Sequence, residues 1–207
     1  REHANKGVSA ISCRIVEGSE TVITNEYLRT RMWKNNGSWS FKGPGVHECI
    51  LGTESIINEP GIMVRHLHDK PNKVAEYQEK FPKYVSILKT TIAKEPENSR
   101  AWFYLGRTYK DLRENLKAIA AYKHYLDLPS LYYLDEQWQA AYDIAVCFGD
   151  MGEYEKSFEW CEKALNIDAR RAESWNLKGL LHFRMKTYDT ALECFTKSLL
   201  TPKPPDV

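Results

Sequence analysis

The sequence predicts a mainly α protein: an array of helical hairpins, an α-solenoid, that follows a small strand-bearing segment. Three observations carry this. Three segments of the second half superimpose on one another, with large residues and a small one in a first helix and a small residue early in a second. The small residue of the second helix recurs at Ala118, Ser157 and Ala191, spacings of 39 and 34 residues. Repetition at such a period marks hairpins that bury a continuous core only by stacking. The first seventy residues instead alternate apolar and polar, as half-buried strands do.

Taken from the N-terminus, Ser12–Glu17 reads as a short strand, followed by Thr21-Val22-Ile23 and by Tyr27–Trp33. Asn35-Asn36-Gly37 is turn chemistry. Trp39-Ser40-Phe41 is extended, Gly43-Pro44-Gly45 forms a tight loop, and Val46–Ile50 follows. Ile62–His68 reads as the last strand. So few apolar positions bury little core by themselves.

A helix is predicted over Lys73–Lys80, with Pro82 expected to break it from the next, because proline lacks an amide donor and clashes with the preceding turn. Lys83–Lys94 is a half repeat closed by Glu95-Pro96. The three full repeats then run through Trp102, Gly106 and Ala118; through Ala145, Gly152 and Ser157; and through Trp175, Gly179 and Ala191. Gly106, Ala145 and Gly179 allow close approach within each hairpin, and aromatics fill the remaining space. The five residues by which the first spacing exceeds the second are assigned to Pro129–Asp135. Asp168-Ala169 stands where a proline is usual. The domains expected are residues 1–70 and 71–207, the latter a half repeat plus three repeats.

The 207 residues carry 29 basic and 28 acidic side chains. That balance argues against nucleic acid or an anionic membrane surface as the partner. No apolar run approaches the length of about 20 residues that spans a bilayer. Five cysteines, none spaced C-x-x-C, favour neither a disulfide framework nor a zinc site; reduced thiols and a cytoplasmic location are the simplest expectation. The chain opens on Arg1 and ends on a proline-rich stretch, and a fragment of a longer polypeptide is expected.

Four of the six histidines, His3, His47, His66 and His68, lie in the strand-bearing part. On a strand, His66 and His68 share a face, where two imidazoles can ligate one metal. His47-Glu48, after the Gly-Pro-Gly loop, is either an acid or base at a flexible position or a loop carboxylate in a surface pair.

The repeats, over about residues 83–200, resemble the tetratricopeptide repeat family. That resemblance implies a concave groove for a peptide or protein partner. One subclass clamps a C-terminal carboxylate with Lys, Asn and Arg on the inner helices. The corresponding places hold Phe103, Arg107, Asp143, Glu173 and Leu177, one basic and two acidic, so a clamp is not expected.

Tyr27–Trp33, then Trp39–Glu48, then His66-Leu67-His68 ahead of helical hairpins resemble the acceptor-side end of a bacterial-type family 2 glycosyltransferase. The resemblance implies a nucleotide-diphospho-sugar donor, a glycan or protein acceptor and a divalent metal, Mn or Mg. It casts Glu48 as the base that deprotonates the acceptor hydroxyl, with His47 beside it, since such a base must lie within hydrogen-bond reach. His66 and His68 match the late histidine at the metal or diphosphate. Arg29 and Arg31 are either phosphate partners or solvated strand charges, with Trp39 on the substrate-binding side. The chain has no Asp-x-Asp metal motif and no nucleotide-binding half, so sugar transfer is expected of a parent protein and not of these residues alone. The alternative is a non-enzymatic tetratricopeptide adaptor.

Overall fold

The structure, a computed structural model, describes the backbone of residues 10–18, 23–33, 39–42, 49–52, 56–67, 73–129 and 133–202, with side chains over 80–129 and 133–202. Two compact units divide the chain between Tyr77 and Gln78.

In the first unit, β1 (Ala10–Gly18), β2 (Ile23–Trp33) and β5 (Ile56–Leu67) form a sheet in the order β2-β1-β5. β1 is antiparallel to β2 and parallel to β5. β3 (Trp39–Lys42) and β4 (Cys49–Gly52) pair separately and antiparallel. Of the strand expected at Thr21-Val22-Ile23 only Ile23 is described, and it opens β2, which continues through Tyr27–Trp33; the last strand begins earlier than its alternation suggests, at Ile56. Pro60 explains the difference. β5 pairs with β1 over Ile56–Glu59 and again over Met63–Leu67, and residues 60–62 drop out of the ladder. A proline has no amide to give to a ladder, so a strand that contains one continues only past an irregularity.

The second unit is helical. α1 spans Lys73–Lys94 without interruption, with Pro82 inside it. This corrects the break expected at Pro82. A mid-helix proline costs about 3 kcal/mol; here Leu88, fully buried, anchors the following turns with Tyr84, Val85 and Ile92 against the same core.

Three hairpins follow: α2 (Ser99–Asp111) with α3 (Asn115–Asp127), α4 (Leu134–Asp150) with α5 (Tyr154–Ile167), and α6 (Ala172–Arg184) with α7 (Tyr188–Leu200). Asn98 caps α2, its side chain accepting the Ala101 amide at 3.0 Å. Of the segment Pro129–Asp135 to which the insertion is assigned, Leu134 and Asp135 open α4, and most of the extra length lies in that helix: α4 has 17 residues where α2 and α6 have 13, so it begins a turn earlier.

Within each hairpin the turn is built the same way. Arg113, Gly152 and Lys186 all have positive φ, at 59°, 78° and 63°. In each case the next amide reaches back to a carbonyl five residues before it: Glu114 to Tyr109, Glu153 to Phe148, Thr187 to His182. This is the left-handed closure that satisfies orphan carbonyls at a helix end.

The core is densest around α2–α4, where Phe103, Leu105, Tyr122, Tyr125, Ile144 and Cys147 are buried together. The small residues expected to let helices approach do so. A methyl at Gly106 would come within 2.7–2.9 Å of the Tyr122 ring, and one at Gly179 within 2.6–3.0 Å of the Phe195 ring. In the middle repeat the same two positions hold Ala145 and Cys161, both fully buried in one cluster. The larger residue on one helix is matched by the smaller on the other.

Candidate functional site

The tetratricopeptide resemblance of the sequence implies a partner groove along the first helices, α2, α4 and α6. Of the five clamp-equivalent residues, Phe103 is buried at 4% exposure, its ring 5.9 Å from Tyr122 and 5.4 Å from Tyr125. Leu177 is half-buried against the α5–α6 cluster. Arg107 and Glu173 are exposed. Two of the five are thus spent on packing, and a single basic group remains at the surface.

Asp143 is the unusual one. It is 1% exposed, yet it is held by three donors: Lys110 Nζ at 2.6 Å, Tyr122 Oη at 2.7 Å and Gln139 Nε2 at 3.0 Å. A buried carboxylate is tolerated only when it is paired and hydrogen-bonded in this way. Burial, and then the Asp143 charge, push the Tyr122 hydroxyl well above its ordinary value. Asp111, next to Lys110, is raised by burial, opposed by Lys110 and Arg107. The network joins α2, α3 and α4 from their interior. The sequence marks Asp143 as an inner acidic position; that it is a buried hub escapes sequence reasoning, although a lone charge within Ala140-Ala141-Tyr142-Asp143-Ile144-Ala145 is a signal for one.

A groove of about 520 Å³ opens between α1 and the first hairpin. Ile92, Leu105 and Ala121 contribute apolar wall, and Lys89 and Lys117 lie at its lining. Trp102 and His124 meet there with ring centroids 3.9 Å apart, and the Trp102 indole donates to the Pro96 carbonyl at 2.8 Å.

The thiols of Cys147 and Cys161 are buried, and burial pushes both up to about 12. At neutral pH they are thiols packed as small apolar groups, without nucleophilic character.

The residues assigned to sugar transfer fall elsewhere. Arg29 and Arg31 are on β2, Trp39 begins β3, and His66 is on β5, opposite Glu17 of β1 in register. In the β1–β2 ladder Ile11 pairs with Met32 and Ser12 with Thr30, so Arg31 is the residue passed over at a bulge. His47, Glu48 and His68 lie outside the described residues. Among the described residues, no three His, Cys, Asp or Glu side chains gather as a metal set. No helix among them is long and apolar enough to cross a membrane.

Residues 99–130, 139–171 and 172–200 each match the tetratricopeptide repeat family. These are the three hairpins. Solved structures of MamA share the fold. A crystal structure of MamA superimposes with a TM-score of 0.51 at 23% identity, covering 63% of this chain and 78% of that one. A MamA RS-1 double mutant gives 0.52 at 18% identity, over 64% of this chain and 76% of that one. At such identities the likeness is one of architecture. No curated protein matches the chain.

Proposed function

We propose that the tetratricopeptide hairpins of residues 99–200 are a protein-interaction module, an adaptor whose stacked first helices hold a peptide or protein partner. The observation that carries this reading is the repetition itself. Three hairpins share one turn geometry, and in two of them a glycine on the first helix meets an aromatic ring on the second. The first helices leave charged residues such as Arg107 and Glu173 at the surface beside exposed apolar ones such as Leu180, a mixture that suits recognition of another polypeptide. A photo-crosslinking residue in place of exposed Arg107, in the whole chain added to extracts of its source, tests it. The expected result is a discrete polypeptide adduct that unlabelled chain competes away. Labelling without any competed polypeptide overturns the reading.

Sugar transfer stands second, on the order of the motifs between Tyr27 and His68 and their place ahead of the repeats. Calorimetry with manganese and a nucleoside diphosphate addresses it, on the chain and on its Glu48→Gln, His66→Ala, His68→Ala variant. Binding that the variant loses supports a surviving part of a donor site. Absence of binding by both removes that support from these residues.

A further inference from the structure

The groove between α1 and the first hairpin is basic where the equivalent places along the array are mixed in charge. α2 contributes Trp102, Leu105 and Tyr109 to it, α1 contributes Lys89, and α3 contributes Lys117 and His124. No Asp or Glu among the described residues lines it. Lys117 pairs with Glu114 just ahead of α3, which leaves Lys89 and His124 as the basic groups open to a ligand.

The repeat register shows what the groove lacks. The joint 95–98 between α1 and α2 is as long as the joint 168–171 between α5 and α6, which aligns α1 with the later second helices. His124, Lys163 and Lys197 are then equivalent, and each sets a basic group against a tryptophan. The His124 and Trp102 rings are 3.9 Å apart, Lys163 Nζ is 4.0 Å from the Trp160 centroid, and Lys197 Nζ is 4.7 Å from that of Trp175. One helical turn before each stand Ala120, Glu159 and Glu193. Residues i and i+4 are neighbours on a helix, so the later repeats place an acid beside the ring-bound cation and the first places a methyl. Ala93 makes the same omission where α3 has Asp127. The cations of the first repeat are retained, and their acids are left out.

Size narrows the occupant. The groove holds about 520 Å³. A helix with its side chains is about 10–12 Å across and rises about 5.4 Å per turn, so roughly one turn would fill it. Cavities of about 300–1,000 Å³ are those that hold small organic molecules.

We propose that this groove binds a small aromatic carboxylic acid. Its carboxylate takes the place beside Lys89 and His124 that an acidic side chain takes in the later repeats, in charge-assisted hydrogen bonds. Its ring lies among Trp102, Leu105 and Tyr109, which offer aromatic and aliphatic surface. Neither Arg107 nor Glu173 lines the groove, so the site goes beyond the reading of the first helices as an interaction surface.

The test is calorimetry on the whole chain with naphthalene-2-acetate and with its neutral counterpart, 2-naphthylacetamide. The acid is expected to bind saturably, and the amide at least tenfold more weakly. Ala120→Glu, which supplies the acid the other repeats carry, should weaken the acid at least tenfold, and Lys89→Gln should weaken it severalfold. Both positions are exposed, so the melting curves of the variants should overlay that of the parent. Equal binding of acid and amide overturns the proposal, and so does binding that Ala120→Glu leaves unchanged in a folded chain. A groove already filled by another part of the chain or by a second copy would give no saturable binding, which overturns it as well. Any of these failures leaves the adduct at Arg107 as the separate measure of the interaction-module reading.

Discussion

Asp168 stands where these repeats usually carry proline, and it does the same work by another route. Its carboxylate accepts the Arg170 amide at 3.0 Å, the Arg170 Nε at 2.9 Å and the Arg171 Nε at 3.3 Å. An Asp that bonds the backbone two residues on fixes a turn as a proline ring would. Arg171 also reaches Asp135 at the start of α4, tying this turn to the previous hairpin. The hydrogen bonds from Arg170 hold the Asp168 carboxyl below its ordinary value. The group is therefore more acidic folded than unfolded. Its contribution is present above the unfolded value, near 3.8, and is lost as pH falls through the lower folded value. Urea midpoints of the parent should drop across that acid range more than those of Asp168→Asn; equal slopes would count against the turn's role. Asp143 lies at the same scale: it was legible as a charge and not as a hub, because its partners come from 33 and 21 residues away.

At the scale of elements, the hairpin turn and the hairpin contact make separate predictions. Gly152 adopts its positive φ freely, whereas Arg113 and Lys186 adopt the same conformation against their β-carbons. That costs about 1 kcal/mol per residue. Arg113→Gly and Lys186→Gly should each raise stability by about 0.5–1 kcal/mol, read as a higher urea midpoint with unchanged slope. The glycine of repeat two was legible as a turn; its two equivalents were not, since nothing in Arg-Glu or Lys-Thr demands a left-handed residue. The contact behaves oppositely. Gly106→Ala should cost about 1–3 kcal/mol, because the Tyr122 ring cannot recede from a methyl in a filled core. Ala145→Gly together with Cys161→Tyr should recover in combination what Cys161→Tyr loses alone, a coupling that a double-mutant cycle measures. Small residues at these positions were readable from their recurrence, and so was their purpose. The uninterrupted α1 was not readable, since the local rule for Pro82 is outweighed by burial of Leu88 and its neighbours.

For the molecule, the helical unit has a gradient along its length. α2 and α4 bury seven and nine residues, α6 three and α7 two. An array in which each hairpin leans only on its neighbours opens first where those contacts are fewest. Amide exchange should be faster in α6 and α7 than in α2 and α4, and uniform protection across the hairpins would contradict that. The array itself was legible because its small residues recur in three copies despite an insertion between the first two. The exposure of Leu192 and Leu199 was not, since a sequence shows them without showing that Leu165, 34 residues before Leu199, is buried. The strand-bearing unit was legible as strands, and its register depends on a proline whose effect is set by the neighbouring strand.

The exchange of volume between first and second helices bears on how such a chain can descend and diversify. Gly106 belongs with Tyr122, Gly179 with Phe195, and Ala145 with Cys161. A genetic crossover that falls at Arg113, Gly152 or Lys186 would separate the members of a pair, leaving a void in one product and a clash in its reciprocal. A crossover in the joints around residues 130 or 169 keeps each pair intact. The hairpin, and not the single helix, is thus the unit that inheritance can shuffle here.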